Sequence, residues 1–247
     1  MNRKAILPAA LAMTMSAGAA FADGGAPTVV ELFTSQGCYS CPPAERFLGD
    51  LAGQDSVLAL EFHVDYWDDL VYGAAGKWKD PFSSPAYTAR QSGYNVRIRG
   101  RRNVYTPQMV IDGRLEAVGS RRLEVLSQVR EAEKTRGPRV GVAVTADGRR
   151  VTGIRLSGGG GGQAGVWLVR MLKERRTEVP SGENKGKSLL SRNIVTEMRR
   201  IGDWTGEDRV LPVPDFTLED GEGCAVLVQE ETQGPIRGAA PCPAPLG

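Results

Sequence analysis

The stretch TSQGCYSCPP, residues 34–43, holds two cysteines separated by two residues and followed by two prolines. It lies between an apolar, β-branched run, Thr28–Phe33, and a segment, Ala44–Leu51, whose apolar residues have helical spacing. The pattern therefore predicts a buried strand, a short turn that carries Cys38 and Cys41, and a helix. Such a cysteine pair can serve as a redox dithiol, as half of a metal site or as a structural disulfide.

The N-terminal residues predict the compartment in which these cysteines work. A short basic head, Met1–Lys4, precedes the apolar run Ile6–Ala20 and the small-residue signal that ends at Ala22. This is the pattern of a secretory signal peptide cut after Ala22, and the apolar run is shorter than a membrane span. We therefore expect an exported protein, periplasmic or secreted, with no membrane anchor after cleavage. Four cysteines in the exported part then favour disulfide chemistry.

The charge of the chain argues against partners that bind mainly by electrostatic attraction. The 247 residues include 31 basic and 29 acidic side chains. Residues 1–22 contain Arg3 and Lys4 and no acidic residue, so their removal changes the formal net charge from +2 to 0. A neutral chain gives no reason to expect nucleic acid or an anionic membrane as the partner.

The order of the predicted elements divides the exported part into two domains. Residues 23–137 contain the order β-α-β-α-β-β-α, which ends with a helix over Leu123–Lys134. From residue 138 onward, apolar and polar residues alternate between turn signals, as in an all-β, sandwich-like unit. We therefore predict an α/β N-terminal domain, residues 23–137, and a β-rich C-terminal domain, residues 138–247. Within the second domain Asn193–Ile201 fits helix or strand, and we favour a strand.

The position of the cysteine pair favours a redox role. A thiolate at a helix N-terminus is stabilised by free backbone N–H groups and by the helix dipole, which lowers its pKa. Cys38 would then be the nucleophile, and Cys41, one turn away, would attack the mixed disulfide. A zinc site would need two further ligands, whereas the sequence has only one histidine, His63. Two prolines follow Cys41 and predict that the helix begins only at Pro43, which weakens the dipole effect.

Longer stretches of the sequence give a family resemblance. The strand–CxxC–helix pattern and a distal X-Pro strand resemble the thioredoxin superfamily. More specifically, the chain resembles the secreted, thioredoxin-like domain-of-unknown-function family 1223. The stretches that carry this resemblance are VELFTSQGCYSCPPAE (30–45), FHVDYWD (62–68), WKDPF (78–82), VYTPQMVIDG (104–113) and GENKGKSLLSRNIV (182–195). The resemblance spans nearly the whole exported part and implies a thioredoxin-like N-terminal half with a β-rich C-terminal extension.

The resemblance also suggests roles for three further residues. In thioredoxin folds a cis proline opens the strand that faces the dithiol, and the residue before it offers backbone groups to a substrate chain. Thr106 and Pro107 occupy that place in this sequence. Glu31, inside the apolar first strand, is the candidate for a buried carboxylate that accepts the proton of the inner thiol. The alternative is a strand-edge glutamate whose carboxylate lies in water.

Two features of the second half bear on stability and on ligands. Cys224 and Cys242 flank a predicted hairpin, and in an exported protein they are expected to form a structural disulfide. Gly182–Ser188, GENKGKS, looks loosely like a phosphate-binding loop, but it lacks the spacing and the strand-to-helix context of one. We therefore assign no ligand to it.

Together these patterns predict thiol–disulfide exchange on a protein or small-molecule thiol or disulfide, with no cofactor. The residues assigned to catalysis are Cys38, Cys41 and Glu31, and those assigned to substrate binding are Thr106 and Pro107. Two alternatives stay open. A copper carrier would use Cys38, Cys41 and His63, since thiolates and imidazole suit copper. A binding module would keep Cys38–Cys41 as a permanent structural disulfide.

Overall fold

The computed structural model describes residues 26–70 and 78–244. Its strands are β1 (Thr28–Thr34), β2 (Val57–His63), β3 (Gln108–Ile111), β4 (Leu115–Val118), β5 (Gly141–Asp147), β6 (Arg150–Ser157), β7 (Ala164–Glu178), β8 (Ser188–Trp204), β9 (Arg209–Pro212), β10 (Glu222–Glu230) and β11 (Ile236–Pro241). Its helices are α1 (Pro42–Ala52), α2 (Tyr66–Leu70), α3 (Pro85–Arg99) and α4 (Arg122–Thr135). The predicted signal peptide, residues 1–22, lies outside the described residues. In the ranges described, no helix is long and apolar enough to cross a membrane.

The first half forms a four-stranded mixed sheet with helices on both faces. The strands lie in the order β2-β1-β3-β4, with β2 parallel and β3 antiparallel to β1. Every residue of β1 and β2 is buried because both faces are covered, which explains their nearly continuous apolar sequences. Helices α1 and α4 pack on the face that carries Val30 and Leu32, and α3 packs on the opposite face with Val29. The predicted order of elements is confirmed, with the short α2 as an addition.

The β-rich half extends this same sheet and adds a second one. β8 lies beside β2, with Glu61 opposite Ile194, and β7, β10 and β11 follow outward to complete eight strands. The ambiguous segment Asn193–Ile201 is part of β8, so the predicted strand is confirmed. β5, β6 and β9 form a separate antiparallel sheet, and its apolar face shares a core with β7 and β10. The predicted class, α/β with a β-rich unit, is thus confirmed, although four of the later strands pair into the first sheet.

A buried polar cluster ties the later strands to the first sheet. Glu31 on β1 forms an ion pair with Arg90 of α3 at 2.8 Å, and the Tyr94 hydroxyl donates to its other carboxylate oxygen. Gln229 of β10 completes the cluster by accepting from Arg90 Nη2 at 2.8 Å and donating to the Tyr94 oxygen at 2.7 Å. Glu31 is fully buried, so its charge depends on these partners.

Arg90→Ala is expected to destabilise the protein strongly, because it leaves the Glu31 carboxylate buried without its cation. We expect the free energy of unfolding, measured by urea denaturation, to fall by about 3–5 kcal/mol. Arg97→Ala is the matched control on the same helix, since Arg97 is 42% exposed and pairs with Glu230 at 3.7 Å. The control should change stability by at most about 1 kcal/mol. Equal losses in the two variants would contradict this role for the cluster.

Candidate functional site: a buried disulfide above an acidic cluster

The two cysteines of the quoted stretch form a disulfide where β1 leads into α1. The Cα atoms of Cys38 and Cys41 are 5.4 Å apart, and neither residue is exposed to solvent. The two residues between them are exposed, Tyr39 to 66%. The Ser40 hydroxyl lies 3.5 Å from Cys38 Sγ, where it could donate to a thiolate on that sulfur. The turn thus shows its outer edge to solvent while its sulfur atoms are covered.

The start of α1 offers no free backbone donor to these sulfurs. The helix begins at Pro42, one residue earlier than predicted, with Cys41 as its N-cap. Pro42 and Pro43 have no N–H group, and the amides of Ala44 and Glu45 both donate to the Cys41 carbonyl, at 2.8 and 3.2 Å. The direct N–H stabilisation expected for a Cys38 thiolate is therefore missing. Any activation of Cys38 has to come from side chains and from the net dipole of the helix.

Four buried ionisable residues lie where α1 packs on the carboxyl ends of β1 and β2. Glu61 and His63 are on the face of β2 that points to α1, since they alternate with Leu60 and Phe62 on the other face. His63 Nδ1 lies 2.7 Å from Asp80 Oδ2, and Nε2 lies 2.8 Å from Glu61 Oε1. Glu45, four residues after Cys41 on α1, accepts from the Thr34 hydroxyl at 2.7 Å. We call Glu45, Glu61, His63 and Asp80 the acidic cluster.

The environment sets opposite charge states within the acidic cluster. Burial, reinforced by the Glu61 carboxylate, raises the pKa of Glu45 from 4.5 to about 8, so this side chain is mostly a neutral acid at pH 7. Burial disfavours a charged His63, but the Asp80 carboxylate and the two hydrogen bonds outweigh it and raise the pKa of His63 well above its usual value. Burial likewise opposes ionisation of Asp80, yet His63 and donated hydrogen bonds hold the pKa of Asp80 below its usual value. His63 is therefore a cation held between two carboxylates.

The acidic cluster also fixes the loop that precedes Cys38. Asp80 Oδ2 accepts from the Gln36 amide at 2.8 Å and from the Ser35 hydroxyl at 3.5 Å. Asp80 itself is held by Asp68, whose Oδ1 accepts from the Asp80 amide at 3.1 Å. A change of charge at Asp80 or His63 would therefore alter the hydrogen bond to the Gln36 amide, two residues before Cys38.

The Thr106–Pro107 segment lies on the same side of the sheet as α1. Its peptide bond is cis. A methyl group added at Gly119 would lie 3.1 Å from the Ala44 Cβ and 3.3 Å from the Pro107 Cβ, so Pro107 and the first turn of α1 flank the same small space. The Thr106 hydroxyl accepts from the Trp67 indole at 2.7 Å. Pro107 is therefore close to the first turn of α1.

Glu31 and His63 are placed differently from what their assigned roles require. Glu31 alternates with Val30 and Leu32, so it lies on the α3 face of the sheet, opposite α1, and is bound by Arg90. That position does not support a role in proton transfer at Cys41. Both ring nitrogens of His63 are engaged by carboxylates, so neither is free for a metal that Cys38 and Cys41 would share. Within the described residues, no group of three or more histidine, cysteine, aspartate or glutamate side chains is arranged to hold a metal ion.

The remaining predicted disulfide is present in the second half. Cys224 of β10 is bonded to Cys242, which follows β11, and the Cys242 amide donates to the Cys224 carbonyl at 2.8 Å. Cys224 packs in the core between the two sheets. This bond fastens the last described strand to its neighbour, which is a structural role.

Several residues of this site were not predicted from the sequence. His63 was a candidate, but neither of its carboxylate partners was, and Glu45 and Asn184 had no assigned role. Glu61 could have been found by the criterion that selected Glu31, a charged residue inside an apolar strand. Asn184 gave no such signal. It belongs to the loop between β7 and β8, residues 179–187, which is distant in sequence from the turn but contacts it in the fold.

Comparison with known proteins assigns the chain to a family. The model described as Protein of unknown function (DUF1223) matches residues 29–229, and the chain belongs to this family. Protein AGR_C_4864 from Agrobacterium tumefaciens, which has a crystal structure, is 28% identical in sequence to this chain. The two structures align with a TM-score of 0.72, and the alignment covers 88% of this chain and 94% of that chain. HBP35 of Porphyromonas gingivalis is 11% identical, with a TM-score of 0.55 over 88% and 74%, a likeness of fold alone. A comparison with curated proteins finds no match.

Glu45→Gln is expected to change how stability depends on pH. Because its pKa is about 8 in the folded protein and about 4.5 in an unfolded chain, the folded state binds the extra proton between these values. The contribution of the buried neutral acid to the free energy of unfolding is complete below about pH 4.5 and is lost as the pH rises through 8. Glutamine cannot ionise, so the stability of the variant relative to the wild type should rise between about pH 4.5 and 8 and stay constant above pH 8. The gain should reach several kcal/mol, at about 1.4 kcal/mol per pH unit.

The measurement is urea denaturation at a series of pH values, with Glu133→Gln as the control. Glu133 is exposed on α4, so this control should run parallel to the wild type. Parallel curves for Glu45→Gln and the wild type would show that Glu45 is not held as a neutral acid.

Proposed function

We propose that this member of family DUF1223 is an exported, thioredoxin-like protein that exchanges thiols and disulfides through Cys38 and Cys41. The observation that carries the proposal is the position of the disulfide at the β1–α1 junction, one helical turn before Glu45, whose buried carboxyl group can give or take a proton near neutral pH. The strand order β2-β1-β3-β4 and the cis Thr106–Pro107 bond next to α1 support a thioredoxin-like fold for residues 23–137. We assign residues 138–247 to the proposed β-rich domain.

Export is supported by the chemistry of the cysteines. Four cysteines of the chain form two disulfides, and such bonds persist mainly in oxidising compartments. The basic and apolar residues at the start of the sequence, 1–22, fit a secretory signal peptide. Both observations support a periplasmic or secreted location, where thiol and disulfide partners are available.

In the proposed reaction two electrons pass between the cysteines and a partner. A partner thiolate attacks Cys38 Sγ, the Cys38–Cys41 bond breaks, and Cys41 leaves with the electron pair. Glu45, protonated in the oxidised protein, supplies the proton that the departing Cys41 sulfur takes up. A second thiol then releases the partner as a disulfide and leaves Cys38 reduced. In the reverse direction Cys38 attacks a partner disulfide, and Glu45 takes back the proton as Cys41 attacks Cys38.

Glu45 thereby takes the role that the sequence suggested for Glu31. It lies one helical turn after Cys41 and on the α1 side of the sheet, whereas Glu31 is on the opposite side and ion-paired. A pKa of about 8 is close to that of an ordinary thiol, which suits proton transfer in both directions. Thr106 and Pro107 would line the path of the partner, which is a protein or small-molecule thiol rather than a nucleic acid.

A permanent structural disulfide is the second candidate. Two observations favour it: both cysteines are fully buried, and the N-terminus of α1 has no free N–H group to stabilise a thiolate. In that case the acidic cluster would only hold the turn, and the protein would act through another surface.

Mixed-disulfide trapping separates the two candidates. With 5,5′-dithiobis(2-nitrobenzoate), the Cys41→Ser variant should accumulate a stable adduct on Cys38, because its resolving thiol is gone. The Cys38→Ser variant should react at least about tenfold more slowly, since Cys41 is the inner thiol. In the reduced wild type, iodoacetamide at pH 7 should modify Cys38 before Cys41, as mapped by mass spectrometry. Equal rates, or a faster Cys41, would remove Cys38 as the nucleophile.

A further inference from the structure

We infer that the β7–β8 loop, residues 179–187, closes over the Cys38–Cys41 turn, and that Asn184 determines which thiols reach the disulfide. The closed loop covers both sulfur atoms. A partial opening admits low-molecular-weight thiols, whereas a polypeptide thiol needs the loop displaced from the turn. The substrate class rests on the proposed function, whereas the closure rests only on contacts between the loop and the turn.

Asn184 makes the central contacts. Its side chain is fully buried, and its Nδ2 donates to the carbonyl of Gln36 at 2.8 Å and to that of Cys38 at 2.9 Å. Its Oδ1 accepts from Lys187 Nζ at 2.8 Å. One amide side chain therefore binds the backbone on both sides of Gly37 and is itself fixed by its own loop.

Two further contacts hold the outer edge of the turn. A Glu183 carboxylate oxygen accepts from the Tyr39 amide at 2.9 Å. The Lys187 ammonium lies 4.4 Å from the centre of the Tyr39 ring, a cation–π contact. The loop thus engages Gln36, Cys38 and Tyr39, which surround the sulfur that a partner must attack.

The loop can open without unfolding the strands that carry it. Its own base is closed by backbone hydrogen bonds from Val179 to Lys187 at 2.9 Å and from Gly186 to Val179 at 2.7 Å. Gly182 and Gly186 have φ values of 75° and 79°, which favour glycine and shape the loop independently of the turn. The named contacts between loop and turn are few and polar, so water can replace them when the loop moves.

Access to Cys38 requires the loop to move, and a small molecule needs the smaller movement. Both cysteines are fully buried, so neither a small thiol nor an extended chain reaches Cys38 Sγ in the closed form. An open cavity of about 560 Å³ lies on the outer side of the turn, lined by neither cysteine, and is in the size range of small-molecule sites. Its walls include Tyr39, Arg46, Lys187 and Leu189. In the resulting reaction two small thiols reduce the Cys38–Cys41 bond, leave as one disulfide, and leave two cysteine thiols behind.

The test compares reduction rates of the oxidised protein without residues 1–22, using glutathione or reduced, unfolded ribonuclease A at equal thiol concentration. Reduction is followed by trapping free thiols and mass mapping of Cys38. The wild type should react at least about tenfold faster with glutathione. Asn184→Ala should accelerate both reactions, and the reaction with the protein thiol more than the reaction with glutathione. The ratio of the glutathione rate to the ribonuclease A rate should therefore fall at least about threefold. Lys185→Ala, at the exposed neighbouring position, should leave the ratio within about twofold of the wild type.

The inference is overturned if the wild type reacts equally with both reductants, or if Asn184→Ala leaves the ratio unchanged. If Asn184→Ala does not fold, Glu183→Ala removes the acceptor of the Tyr39 amide, and the same fall in ratio decides the question. Failure of the proposed function is distinguishable. An equilibrium potential typical of a structural disulfide would reject redox catalysis and would leave the effect of Asn184 on access intact.

Discussion

The buried imidazolium of His63, held between Asp80 and Glu61, is the interaction on which the rest of the site depends. A charge with no access to solvent is tolerated only when it is paired and hydrogen-bonded, and both ring nitrogens meet this condition. Removal of one partner would leave a buried charge uncompensated, at a cost of about 3–5 kcal/mol. Asp80 accepts from the Gln36 amide and so ties the turn to this charge. Burial, reinforced by the Glu61 carboxylate, raises the pKa of Glu45, whereas the His63 cation lowers it. The position of the turn and the protonation of Glu45 therefore both depend on the charges of the acidic cluster.

The β-rich half takes part in the site and is more than an extension. β8 pairs beside β2, the strand that carries Glu61 and His63, and the loop at the end of the β7–β8 hairpin reaches the turn. On the other face of the sheet, Gln229 of β10 binds Arg90 and Tyr94 next to Glu31. Residues from distant parts of the chain thus fix both faces of β1. The turn around Cys38 is consequently held in part by a residue far along the sequence, Asn184.

Local patterns predicted the first half well. The strand–turn–helix around Cys38, the order of elements and the fold class could be read from periodicity, since each depends on residues close in sequence. The pairing of β8 with β2 could not, because no local pattern states which distant strand is a neighbour. The side of the sheet on which Glu31 lies could not be predicted for a related reason. A charged residue in an apolar strand signals burial, but only the sheet shows which face it occupies. The segment GENKGKS was set aside as a phosphate loop, and its contacts to the turn became visible only in three dimensions.

The equilibrium reduction potential of the Cys38–Cys41 disulfide tests the central claim most directly, namely that this bond is redox-active and exchanges a proton with Glu45. Titration against glutathione at pH 7 should give a value between about −270 and −120 mV, the range of thiol–disulfide catalysts. Repeated across pH, the potential of the wild type should change slope near pH 8, where Glu45 titrates, and the Glu45→Gln variant should lack that change. A potential below about −300 mV, with the same pH dependence in both proteins, would contradict the account.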